Sequence, residues 1–192
     1  MYEGKNPTAL KSQQWLGNTL LELMEIKPYE EISIKDICQH ADLSRQTFYN
    51  FFNSKEELFR YVLRSTYEEK LNAQTEIPSS KEAISTFVNT TKENKRLVAV
   101  IVKNNLGNIV SDEIFKSITH FLNRFIPNFE NQPDFAYHVV LLSGALTHFM
   151  TYYARNNSEM SEEEMTRILE SFLSGKVFRL LRASKYLKKV LK

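Results

Sequence analysis

Between residues 45 and 50 lie four side chains able to read polar edges. Arg45 and Tyr49 stand four apart, as do Gln46 and Asn50, so on a helix all four share a face, while Phe48 and Phe52 form an apolar face opposite. Arginine can donate two parallel hydrogen bonds to guanine O6 and N7. Glutamine and asparagine can bond adenine N6 and N7 in the same bidentate way. Tyr49 and Lys55 suit phosphate oxygens, as do the free backbone N–H groups at the N-termini of the second and fourth helices, and Ser33 and Ser44 are further candidate contacts. Thr47 can cap, pack or reach a nucleic acid, and Lys35 is either a surface charge or a phosphate contact.

Such a face needs helices to hold it. Asn6-Pro7 reads as an N-cap with proline in the first turn, and Leu16, Leu20, Leu23 and Met24 recur at helical spacing until Lys27-Pro28 stops the run. Ser33 and Asp36 open a short second helix that ends at His40-Ala41. Asp42-Leu43-Ser44 is a tight turn, and Ser44 caps a third helix expected to run from Arg45 to about Phe52. Two helices joined by a tight turn, the second polar outside and apolar inside, make a helix-turn-helix whose last helix enters the major groove. Ser54 and Glu57 stand in capping-box register before a fourth helix reaching about Asn72.

Residues 32–58 carry a more specific pattern. Ser33, Ile37, Ala41, Ser44, Thr47, Phe48, Tyr49, Phe52, Lys55 and Leu58 fall in a register that resembles the DNA-binding signature of the TetR family of transcriptional regulators. Asp42 stands where that signature usually has glycine, and aspartate tolerates the left-handed turn better than most residues. Phe51 replaces the usual histidine. The resemblance implies an all-α fold of about nine helices. Residues 1–53 would form the three-helix DNA-binding domain, and residues 54–192 a helical effector-binding and dimerisation domain, with helix 54–72 linking the two. It further implies a homodimer on a palindromic double-stranded operator, released or recruited by an unidentified small molecule. Repression is the expected mode. An activator controlled by a protein partner, or an adaptor whose helix-turn-helix no longer reads DNA, is the alternative, the latter because residues 1–55 hold six basic and seven acidic residues.

The rest of the chain fits this plan. Ser79 and Glu82 open another capped helix, residues 97–103 are apolar nearly all round, and Gly107-Asn108 is expected to break that segment before a helix over 112–126. Pro127 and Pro133 bracket a loop, and two long helices follow, from about Asp134 to Arg155 and from about Ser161 onward. The family plan places an effector among the aromatics of this body, with Phe87, Phe115, His120, Asn123, Tyr137 and His148 as candidate contacts. Val139, Leu142, Ser143, Leu146 and Met150 on one closing helix, with Ile168, Leu169, Phe172 and Leu173 on the other, are the expected dimer interface.

Composition narrows the classes. One cysteine, Cys38, leaves no disulfide framework, and no two of the four histidines have metal-ligand spacing, so no metal, cofactor or enzyme chemistry is expected. Trp15 and Cys38 read as packing residues. No segment reads as a membrane span or secretory leader, which predicts a cytoplasmic protein. The net charge of +2 conceals a basic tail: residues 176–192 hold seven bases and no acid, leaving −5 for residues 1–175. That tail is either a helix end whose cations suit the helix dipole or a surface-seeking amphipathic segment. Any grip on a polyanion must therefore come from a few placed residues.

Overall fold

The structure is a computed structural model, and it describes residues 7–72, 74–126, 128–131, 133–156 and 159–175. The Asn6 cap and the basic tail 176–192 lie outside the described residues. Those described form nine α-helices: α1 (Pro7–Ile26), α2 (Ile34–His40), α3 (Arg45–Tyr49), α4 (Lys55–Asn72), α5 (Ser80–Glu93), α6 (Lys95–Lys103), α7 (Gly107–Phe125), α8 (Phe135–Arg155) and α9 (Glu162–Leu173).

Their starts follow local chemistry. Ser33, Ser44, Ser79 and Ser161 each accept a hydrogen bond from the backbone N–H three residues on, and Asp36 and Glu82 close full capping boxes. At α4 the box is only half formed. Ser54 Oγ accepts from Glu57 N–H, but the Glu57 carboxylate takes its reciprocal bond from Asn53 N–H at 2.7 Å. Turns in this glycine-poor chain fall to Asp42, Asn105, Asn128 and Asp134, all with φ between 52 and 60°. Asp42 thus takes the left-handed turn expected of it.

Two boundaries differ from the sequence reading. Helix α3 closes at Tyr49, because Phe48 O accepts from both Phe51 and Phe52 N–H and tightens the chain into a turn. The break expected at Gly107 occurs instead at residues 104–106, where Asn105 is left-handed, so α7 already begins at Gly107.

One buried core runs through α1, α2, α3 and α4 and onward into α6 and the start of α7, from Leu16, Leu20 and Phe48 to Val100, Ile101 and Val110. Helix α1 crosses α4 closely because Gly17 has no side chain: a Cβ there would lie 2.8 Å from Val62 Cγ2. A second cluster, Ile84, Val88, Leu146, Met165 and Leu169, binds α5, α8 and α9 together. Asn104 ties the two ends of the molecule. Its side-chain oxygen accepts from Tyr29 N–H at 2.7 Å, and its amide donates to Met24 O and Val100 O. Arg96 adds an ion pair with Glu25, whose carbonyl accepts from Lys103 Nζ. Among the described residues no helix is long and apolar enough to cross a membrane.

Candidate nucleic-acid interface and its connected cavity

Helix α3 is seated by its apolar side. Phe48 and Phe52 are buried and lie 5.9 Å apart between ring centres, and Phe52 packs at 5.3 Å and a 53° tilt against Tyr61 of α4. The turn before α3 is fixed by backbone. Leu43 N–H donates to Cys38 O, and Trp15 Nε1, from α1, donates to Ala41 O at 2.9 Å. Trp15 is therefore half-exposed and serves the turn by that bond, whereas Cys38 is buried as expected.

This seating leaves Arg45, Gln46, Tyr49 and Asn50 exposed together. The Arg45 guanidinium lies 6.0 Å from the Tyr49 ring centre, which restricts its swing. Thr47 is half-buried, with its hydroxyl 2.9 Å from Ser44 Oγ, so both hydroxyls serve the cap of α3. Ser33 is likewise occupied in the α2 capping box, while Lys35 stands exposed in the first turn of α2.

Lys55 departs from its expected role. Its ammonium donates to the carbonyl oxygens of Tyr29, Glu30 and Ile32 at 2.5, 2.9 and 2.8 Å and sits 4.5 Å from the centre of the Tyr29 ring. An ammonium has three N–H donors, and all three are spent. Burial in this nest pulls the Lys55 pKa below the usual lysine value. The residue clamps the start of α4 to the loop between α1 and α2; it does not present a free charge to phosphate.

Helix α4 runs from this clamp into the body, where its far half walls a cavity of about 320 Å³. Leu63 and Tyr67 of α4, Ile84 and Phe87 of α5, Ile114 and Phe121 of α7, and Leu142 and Leu146 of α8 are among its lining residues. Among the six residues expected at an effector, Phe87 alone lines this space. His120, Tyr137 and His148 are exposed, Phe115 turns away from the cavity, and the Asn123 amide donates to Glu130 at 2.7 Å. On α7 the cavity is lined instead by Ile114, Phe121 and Leu122, the residues next to Phe115, His120 and Asn123.

Glu113, which sequence reasoning missed, is buried in the cavity wall and bonds Arg60 Nη1 at 2.7 Å and Arg64 Nη1 at 3.0 Å, joining α7 to α4. Burial pushes its carboxyl up, but the Arg60 hydrogen bond and the Arg64 charge outweigh that and hold it below the usual range.

The expected dimer residues divide the same way. Val139, Ser143, Leu146, Met150 and Leu169 are buried within the single chain, Leu142 and Ile168 are half-buried, and only Phe172 and Leu173 are exposed. The face of α8 that a second chain could cover is a different stripe. Tyr137, Val140, Leu141 and Tyr152 are 56 to 73% exposed, and a Cβ at Gly144 would meet nothing within 4 Å.

Comparison with known proteins agrees with this geometry. Residues 18–62 match the sequence model of the bacterial regulatory proteins of the tetR family. The HTH-type dhaKLM operon transcriptional activator DhaS of Lactococcus lactis is 36% identical over 61 residues, which cover 32% of this chain and 33% of that protein. The chain thus spans about a third of the length of this curated relative. Two solved structures share the fold over most of the chain. Lin0861 from Listeria innocua has a TM-score of 0.72 at 18% identity, covering 91% of this chain and 95% of its own. A TetR transcriptional regulator from Streptococcus agalactiae 2603V has a TM-score of 0.57 at 16% identity, covering 84% and 92%.

Proposed function

We propose that this chain, whose residues 18–62 match the model of the bacterial regulatory proteins of the tetR family, is a ligand-responsive transcriptional regulator that binds a palindromic operator as a homodimer. The observation that carries this reading is the double use of α4. Its first turn clamps the loop that precedes α2, and its second half walls the cavity, so whatever enters the cavity bears on the element that positions α3. Arg45, Gln46, Tyr49 and Asn50 are the base and backbone readers, with Lys35 as the phosphate contact beside them. The exposed stripe of α8, together with Phe172 and Leu173 of α9, meets its symmetry mate. Ligand shifts operator affinity by its differential affinity for two settings of α4, a coupling of about 1 to 3 kcal/mol.

Repression is the first reading of the outcome at the promoter. The likeness to a protein named as an activator supports activation as the second. A mobility-shift titration against the DNA upstream of the chain's own gene tests binding, and a reporter driven by the same DNA decides the sign. Full-affinity binding by Arg45→Ala would remove α3 from the reading face.

A further inference from the structure

Among the described residues Glu113 is the one carboxylate in the cavity wall, and no lysine, arginine or histidine lines it. Its side chain is 3% exposed, and besides Arg60 and Arg64 it has Lys116 Nζ at 3.3 Å. Arg60 in turn holds Glu56 at 2.8 Å and Asp112 at 3.4 Å. In these contacts the three acids Glu56, Asp112 and Glu113 stand beside the three bases Arg60, Arg64 and Lys116. The order of these groups matters. Glu113 lines the cavity and neither arginine does, so its carboxylate stands between the guanidinium groups and the ligand space.

An ionised ligand finds no counter-charge here. A carboxylate would face the Glu113 carboxylate, and an ammonium would have to compete for oxygens already bonded to two arginines. Either ion would lose its hydration among Leu63, Ile84, Ile114 and Phe121, a cost that only a partner charge can offset. A neutral polar group meets no such penalty, since Thr86 lies along the same wall and the Tyr67 oxygen, whose proton goes to Met150 Sδ at 3.5 Å, can still accept. Resting on the reading of this cavity as the effector site, we propose that it selects uncharged, mainly hydrocarbon ligands bearing at most a hydroxyl, carbonyl or ester. Glu113 sets that selectivity by placing its carboxylate between the ligand and the two arginines, which would otherwise draw in a carboxylate.

Calorimetric titration of the full chain at neutral pH with 1-octanol, octanoate and octylammonium tests this. Octanol should bind about tenfold or more tighter than either ion. Glu113→Gln removes the one negative charge between the ligand space and the two guanidinium groups, and octanoate should then gain about tenfold relative to octanol. Arg64→Gln tilts the balance the other way and should favour octylammonium, which keeps the test open if the first variant does not fold. Wild-type octanoate binding as tight as that of octanol overturns the selectivity and leaves the cavity as the effector site. So does an unchanged ratio of ion to alcohol in either folded variant. If none of the three probes binds, the effector-site reading itself fails, and this inference with it.

Discussion

At Lys55 a cation that sequence reasoning would place on a phosphate is enclosed by three carbonyls, and the reason it could not be foreseen is geometric. Those carbonyls belong to residues 29–32, more than twenty positions away, and no local spacing announces the encounter. The exposed face of α3 was legible because Phe48 and Phe52 fix its phase within a single turn of helix. Opposite behaviour of two variants follows. Lys55→Met should cost about 2 kcal/mol in thermal or denaturant unfolding, because it strips three backbone acceptors of their donor, while the salt slope of operator binding by the folded protein stays unchanged. Arg45→Ala should leave stability within about 0.5 kcal/mol yet cost about 1 to 3 kcal/mol of operator affinity per half-site and relax preference at one base position. A salt slope reduced by Lys55→Met would return that residue to the DNA.

Helices were foreseen better than their rotation. Serine caps and prolines mark ends by chemistry contained within a few residues, and α1, α2, α4, α5 and α9 begin within about one residue of where those signals place them. Which face of α7 or α8 turns inward depends on neighbours. On α8 the stripe through Val139, Ser143, Leu146 and Met150 is as apolar as the one through Tyr137, Leu141 and Tyr152, and only packing against α7 and α6 assigns the first to the interior. Glu113 was hidden for a related reason, since a glutamate on α7 reads as surface until Arg60 and Arg64 are seen beside it.

That bridge between α4 and α7 has a pH signature. The Glu113 carboxyl is held below its ordinary value of 4.5 in the folded chain, so the unfolded chain binds more protons, and the stabilisation is complete above about pH 4.5 and is lost as pH falls through the lower folded pKa. Glu113→Gln cannot titrate. Its deficit of about 2 kcal/mol at neutral pH should shrink steadily in unfolding experiments below pH 4.5, and a constant deficit would mean that the bridge is not the cause. The α1–α4 crossing gives a second test at this scale. Gly17→Ala should destabilise the chain despite alanine's higher helix propensity, because the added methyl meets the stiff Val62 side chain, and Val62→Ala in the same chain should restore most of the loss.

For the whole molecule, the distribution of apolar surface predicts which face the proposed dimer would use. Leu141→Glu puts a charge on the open stripe of α8 and should yield a folded monomer by light scattering and circular dichroism. Met150→Glu should instead unfold the chain, because Met150 is fully buried in one protomer. A dimer that survives Leu141→Glu would place the interface elsewhere.

The Asn104 contacts carry a consequence for exchange of parts. Regulators of this plan invite grafting, with one head joined to another body at the start of α4. Here a body from elsewhere would leave Tyr29 N–H without its acceptor and Glu25 without Arg96 and Lys103, and it would remove Leu97, Val100 and Ile101 from beneath α1. A working chimera of this chain therefore has to carry α6 along with its head, so the unit proposed to read DNA is interleaved in the sequence with the unit proposed to sense a ligand.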